Sequence, residues 1–389
     1  MAFPKRKNQQ AKAYLIVNYN NRNIYLFVII DMIGYDRSLI LKSDFVIKNT
    51  NCAVDLFKLI GAYLVVSIHT SIFSSYSDIF NFYFTDVFAR LAVYFFFVAS
   101  AYFFFKGLKF ENSKIVKCKE NFSKFKKYFF RITLLYVIWS FIYFLSDIPK
   151  WYSLGCLTFK NFIGFALSCI TNSSHYHLWF LISLVYAVPI MYFLLHYVKL
   201  RTFAIISVVI YLVGLLYGSY SFAGMPFESL WNIFGDKFVR MRTVIFNVIP
   251  ICTFAIFCDK VNLSKKVINV ITMVFFLVFS AEVMILNFYS PETASPYSIF
   301  TIPAVVFIFL SVRNINISIA HSYILRRLST IIYCMHPLVI VALSIFIDGS
   351  KLNSLLYFVI ISAITTVVGL ALVFLNRNVK FFAFLKYAM

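Results

Sequence analysis

Residues 55–70 read DLFKLIGAYLVVSIHT, an apolar run with Asp55 and Lys58 near its start and His69 near its end. Lys58 and His69 stand eleven positions apart. In an α-helix that spacing is a rise of ~16 Å and almost three full turns, so both side chains fall on one face. A charged side chain inside a membrane span costs at least ~2.5–3.5 kcal/mol on insertion scales, so such residues face a bundle interior. The run therefore predicts a membrane helix whose polar stripe crosses from one boundary into the far half of the bilayer. The bland readings are a Lys58 that snorkels to the interface and a His69 that only packs.

The rest of the chain has the same character. Of 389 residues, 61% are hydrophobic and 13% charged, against ~45–50% and ~25% in soluble domains. The apolar residues gather in blocks of roughly 18–22, the length a helix needs to cross the hydrocarbon core. The net charge of +21 does not point to nucleic acid, because no soluble basic domain carries it. The seven cysteines form no metal-ligand pattern. Cys156 and Cys169 share one expected outer loop, but no disulfide framework is visible and unpaired thiols are the expectation.

These blocks predict an all-α, polytopic transmembrane bundle of about ten spans: 54–74, 87–105, 128–146, 178–197, 202–221, 241–258, 266–288, 297–312, 326–346 and 355–375. The stretch 158–171 is apolar but short and reads as a re-entrant or interfacial helix. Lys and Arg cluster in the N-terminal tail, in 106–127, at Lys199 and Arg201, at Lys260, Lys265 and Lys266, at Arg313, Arg326 and Arg327, and in the tail from Arg377. These clusters alternate with loops poorer in Lys and Arg, which hold Asp78, Asp86, Asp147, Glu228, Asp236, Glu292 and Asp348. The positive-inside rule then puts both termini and the basic loops in the cytoplasm. The organisation expected is a basic cytoplasmic extension over 1–50, a bundle over 51–376 and a basic cytoplasmic tail over 377–389. The run IYLFVIIDMIGY at 24–35 is too short to span and contains Asp31; it reads as an interfacial segment or as upstream sequence before an alternative start at Met32.

Further polar residues lie in or beside the spans. Arg90 opens the second span on its outer side, and Ser100 and Ala101 allow close approach there. Arg131 stands at the cytoplasmic end of the third span, where a topogenic role is the plain alternative. His175 and His177 precede the fourth, with Trp179 at the interface; two histidines at i and i+2 do not share a helical face, so no metal pair is expected. Arg240 and Arg242 begin the sixth span, and Glu282 in the seventh is a candidate partner for an inward Arg or His. In STIIYCMHPLVIV (329–341), Tyr333 and His336 lie three apart on one face, and Pro337 loosens the helix.

These residues, in this order, resemble the acyltransferase-3 family of integral membrane proteins. That family opens with an acidic and a basic residue, then His, matched by Asp55, Lys58 and His69; Lys58 stands where the family more often has Arg. Its second-span Arg and aromatic run ending in a Ser-Gly-Tyr-like turn are matched by Arg90, Phe95–Phe97, Ser100, Ala101 and Tyr102, with Ala101 in place of Gly. Of the two Arg usual at the start of the third span, Tyr128 takes the first place and Arg131 matches the second. HLWFL (177–181) and IYCMHPL (332–338) match later motifs. The resemblance covers roughly 50–375. The phrases YVIWSFIYF (136–144) and RTVIF (242–246) also look like the membrane domain of serine racemases in vancomycin-resistance clusters, a variant thought to handle serine.

The resemblance implies an acyltransferase of the cell (cytoplasmic) membrane that takes acyl groups, commonly acetyl, from cytoplasmic acyl-CoA to a hydroxyl. The acceptor implied is a cell-surface or lipid-linked glycan, with acetyl-CoA or another acyl-CoA as donor and no metal. On this reading Lys58 and Arg131 contact the CoA phosphates, and Tyr333 and His336 line the acyl channel. His69 is the catalytic residue, while Arg90, Arg242, Trp179, Glu282 and Asp55 serve acceptor binding. Partners expected are the lipid bilayer, the glycan, and a separate transferase or a homo-oligomer. The competing class is a transporter or flippase of a small polar molecule such as serine or a sugar, since buried charges also mark transport paths. Broken helices in paired halves would favour transport, and no such pairing is seen. A pure scaffold leaves the charged stripe unexplained.

Overall fold

The computed structural model describes residues 51–220, 239–289, 297–347, 349–379 and 387–389. The N-terminal extension 1–50 and the acidic loop residues Glu228, Asp236, Glu292 and Asp348 lie outside them. Eleven helices follow in order among the described residues: α1 Cys52–Thr70, α2 Asp78–Lys106, α3 Lys119–Ser153, α4 Phe159–Thr171, α5 Trp179–Leu194, α6 Leu200–Leu216, α7 Arg240–Lys260, α8 Lys265–Tyr289, α9 Thr301–Arg313, α10 Ser322–Ser344 and α11 Ser354–Asn378. A short hairpin, β1 Phe110–Glu111 with β2 Lys114–Ile115, joins α2 to α3.

The chain is a helical membrane bundle. Ten of these helices answer the ten expected spans, and α4 answers the short apolar stretch. Eight segments are long and apolar enough to cross a membrane by length and composition, with Phe159–Leu194 taking in both α4 and α5. The two remaining apolar helices are shorter, α6 with 17 residues and α9 with 13. At 1.5 Å per residue α9 is only about 20 Å long. It starts later than the sequence suggests because Ser298 turns the chain first, its N–H donating to the Thr301 hydroxyl at 2.8 Å. None of the α4 residues is buried, as suits an interfacial helix.

α2 is the central post. In its most apolar window 78% of residues are buried, against 22% for α3, α8 and α11. An all-round hydrophobic helix belongs in the middle of a bundle, and one-sided burial leaves α3, α8 and α11 an apolar face for lipid. α1 packs against α2, and α10 packs against α1. Close approach at α6 and α7 needs Gly214, where a Cβ would lie 2.6 Å from Cβ of Phe246.

The contacts between helix ends agree with the charge alternation. On the basic side, the Asn51 amide donates to the Arg313 carbonyl at 2.8 Å, and Arg313 meets Asp259 at 2.9 Å. Lys117 stacks on Tyr197 at 4.2 Å, and the hairpin carbonyl of Ser113 accepts from Leu200 N at 2.8 Å. Lys109, in the same basic loop, pairs with Glu120 at 2.5 Å, and that hydrogen bond holds its ammonium above the ordinary lysine range. On the opposite side, the Ser75 N–H donates to Ser354 Oγ at 3.1 Å and Tyr76 OH to Asn353 at 3.1 Å. Each of these contacts joins ends that the positive-inside rule assigns to one side.

Gly214→Ala is expected to destabilise the α6–α7 packing by about 1–3 kcal/mol, as overpacking does, read as a lower thermal midpoint in detergent. An unchanged midpoint would contradict this close packing.

Candidate active site

Two polar clusters sit along α1. The first lies at its basic end. Asp55, 5% exposed, meets Arg326 Nε of α10 at 3.4 Å. One turn on, the Lys58 ammonium lies over the Phe103 ring at 5.4 Å. Lys58 also feels the charges of Asp55, Arg326 and Arg131, and Arg131 in turn those of Arg326 and Arg327. Lys58 of α1, Arg131 of α3 and Arg326 of α10 thus gather at this end around Asp55 and its neighbours, while Arg327 turns to α11, its Nη1 donating to Asn376 at 2.9 Å. Among the described residues Asp55 is the one carboxylate that pairs with these cations, through Arg326.

The second cluster lies near the other end of α1, which closes in a left-handed Ser71 (φ 46°). The His69 ring stacks on His336 of α10, with centroids 5.1 Å apart, and meets the edge of Tyr176 at 4.9 Å. His177 approaches His336 at 5.6 Å, and Tyr143 stacks on His175 at 4.3 Å. Arg90 follows a widened π turn of α2, Tyr83–Ala89. It is held by Asp86 through Nε at 2.8 Å and is near enough to act on the charge of His69. Among the described residues no set of three or more His, Cys, Asp or Glu is arranged to hold a metal ion.

Pro337 shapes this cluster. It lacks the N–H that would bond the Tyr333 carbonyl, and the backbone of this turn takes partners from elsewhere. The Cys334 carbonyl accepts from Tyr143 OH at 2.8 Å and faces His177 Nε2 at 3.1 Å. The Tyr333 hydroxyl donates to the His177 carbonyl. His175 and His177 come together, Nδ1 to Nδ1 at 3.1 Å, because His175 is extended (φ −144°, ψ 153°) and Tyr176–Leu178 form a 3-10 turn. The α-helical spacing rule invoked for them from sequence does not apply to that backbone.

The remaining expected residues fall into place around these clusters or away from them. Trp179 packs against Phe97, the rings tilted and 5.5 Å apart, and lies under the guanidinium of Arg240 at 5.3 Å. Arg240 also donates twice to Asn172, at 3.1 Å each. Arg242, two positions further on in α7, belongs to the same helix start. Glu282 lies apart from the histidines. Its carboxylate accepts from Ile299 N at 2.7 Å, from Phe300 N at 3.0 Å and from Tyr220 OH, so it caps the amides before α9. Cys156 and Cys169 are both free thiols.

Several cluster members were not picked out as site residues from sequence. In the sequence Arg326 reads only as topogenic charge, yet it meets Asp55 across the seam. His175, His177, Tyr143 and Tyr176 carried only the local signal of HYH beside a Trp and an aromatic third span.

A bundle with a basic cluster at one end of a buried seam and stacked histidines at the other has the makings of a membrane-embedded transferase. The family described as an acyltransferase domain matches residues 52–374, and the chain belongs to this acyltransferase-3 family. Among curated proteins it is similar to an amino-acid racemase of Enterococcus faecalis, 27% identical over 348 residues, 86% of this chain and 47% of the relative. A second amino-acid racemase of that organism is 29% identical over 167 residues, 43% of this chain and 22% of the relative. The chain thus spans about half the length, or less, of these relatives. No solved structure matches.

Glu282→Ala removes the acceptor of two backbone amides and one hydroxyl. The expected outcome is a loss of about 1–3 kcal/mol, seen as a lower unfolding midpoint that Glu282→Gln restores in part. Equal midpoints for Ala and wild type would contradict the capping role.

Proposed function

We propose that this protein is an O-acyltransferase of the cytoplasmic membrane that moves an acyl group, in the first instance acetyl, from cytoplasmic acyl-CoA to a hydroxyl of a cell-surface or lipid-linked glycan. The observation that carries the reading is the buried α1–α10 seam. It joins a basic cluster at one end of α1 to the stacked His69–His336 pair inside a chain of the acyltransferase-3 family.

Lys58 and Arg131, with Arg326 beside them, contact the CoA phosphates, where charge-assisted hydrogen bonds are strongest. The pantetheine and thioester run along the seam toward His69. An imidazole there acts as base toward the acceptor hydroxyl or carries the acyl group transiently. Arg90 and Arg240 stand on the acceptor's side, where a guanidinium stabilises the oxyanion that forms at the acyl carbon. Trp179, beneath Arg240, and Tyr176, beside His69, lie on the same side. A glycan made by other enzymes, a separate transferase or a second copy of this chain supplies the acceptor side.

A second reading rests on the amino-acid racemases the chain resembles. Their printed name makes an amino acid a candidate for this bundle to move or modify, and on that reading the chain carries serine without acyl chemistry. Release of free CoA from acetyl-CoA by purified protein favours the first reading. Exchange of radiolabelled serine across proteoliposomes without CoA release favours the second.

His69→Ala, at wild-type membrane level and folding, should abolish acyl transfer; full activity in that variant would sink the proposal. Arg131→Ala and Arg326→Ala should each raise the KM for acetyl-CoA roughly ten-fold or more, the equivalent of one hydrogen bond to a charged group. A KM unchanged in both would remove the basic cluster from donor binding.

A further inference from the structure

The histidine cluster holds one ring nitrogen whose protonation the backbone dictates and whose lone pair has no partner. His336 is fully buried. Its Nδ1 lies 3.0 Å from the carbonyl oxygen of Ile332. A carbonyl only accepts, so Nδ1 carries the proton and, in the neutral ring, Nε2 holds the lone pair. That Nε2 is buried and has no hydrogen-bond partner, and an acceptor left so costs about 1–3 kcal/mol unless something else fills the gap.

The neighbours are fixed by the same logic. Nε2 of His177 faces the Cys334 carbonyl, so it donates, and its Nδ1 must accept from Nδ1–H of His175, 3.1 Å away. His177 therefore cannot serve as donor to His336 without giving up the carbonyl. His69 differs. Its ring is placed by stacking on His336 and Tyr176 and is anchored by no hydrogen bond among the described residues. One histidine of the stacked pair is thus oriented by the backbone, and the other is able to turn.

We propose that His336 is a second catalytic residue, the base that takes the proton of the acceptor hydroxyl, which leaves His69 the role of acyl carrier. This rests on the acyltransferase reading above. In the first half, a His69 ring nitrogen attacks the thioester carbon. The C–S bond breaks, and the thiolate leaves with the ring's other N–H proton as free CoA thiol. In the second half, the acceptor oxygen bonds to the acyl carbon as its O–H proton passes to His336 Nε2. The C–N bond breaks with its electron pair on His69, and His336 returns the proton to that ring. Acyl-CoA and alcohol are thereby converted to ester and CoA, with both imidazoles neutral again.

The test separates structure from chemistry by choice of variant. In His336→Asn the amide nitrogen falls near Nδ1 and can still donate to the Ile332 carbonyl, while Nε2 is gone. Membranes containing the full chain, with native acceptors present, are given radiolabelled acetyl-CoA. Label is read on the protein after rapid quench and in the lipid and polymer fractions. Wild type is expected to pass label to the acceptor fractions. His336→Asn, at equal level and thermal midpoint, is expected to keep label on the protein and to lose transfer by at least a hundred-fold, the scale of general-base contributions. His69→Ala is expected to show neither label. Normal transfer by His336→Asn would overturn the proposal, and so would loss of both labels in that variant. Should His336→Asn fold poorly, addition of free imidazole to His336→Ala is the second arm: restored transfer supports the base, and no response overturns it. Active His336→Asn beside dead His69→Ala refutes only this inference. Active His69→Ala, or no transfer by wild type, refutes the acyltransferase reading itself.

Discussion

The contact on which the site depends is the packing of α1 against α10. α1 brings Asp55, Lys58 and His69 on one face, and α10 brings Arg326 to Asp55 and His336 to His69. Polar groups at this depth have no water to fall back on, so they must be paired or held for a ligand. At the basic end Asp55 answers Arg326 directly. At the other end the rings stack, and the Cys334 carbonyl of α10 meets Tyr143 of α3 and His177 of the α4–α5 linker. α2 supports the arrangement from behind: its aromatic residues, Phe96 against Tyr333 at 5.9 Å among them, fill the space beside the seam.

Much of this was legible in the sequence, because membrane helices declare themselves by length and hydropathy. The ten apolar blocks correspond to ten helices. The shared face of Lys58 and His69 follows from helical periodicity alone. The order of Asp55, Lys58, His69, Arg90, Arg131 and HLWFL carried the family. What periodicity could not supply was the pairing of helices distant in the chain. Arg326 lies about 270 positions from Asp55, and nothing in either stretch names the other. His175 and His177 were judged by a helical rule on a segment that is extended. Arg240 and Arg242 look equivalent as text, and nothing there says that Arg240 meets Trp179. Glu282 was visible as a buried charge, but its partners are backbone amides, which leave no mark in a sequence.

The two ends of the seam also give the chemistry a direction. Basic groups gather where the positive-inside rule puts the cytoplasm, and the histidines lie in the opposite half; on the proposed reading these are the donor and acceptor sides. Buried charge alone does not discriminate between an enzyme and a transporter. What favours chemistry is the His336 ring at one end, since a path for an intact solute has no need of a backbone-oriented lone pair.

The most direct test of that reading uses a CoA thioester whose acyl chain carries a photoreactive group. The account predicts that illumination attaches it to α1 and α10 around His69 and His336, and that excess acetyl-CoA or loss of Arg326 and Arg131 prevents the attachment. Attachment elsewhere in the bundle, or attachment at the seam that acetyl-CoA does not compete, would contradict it.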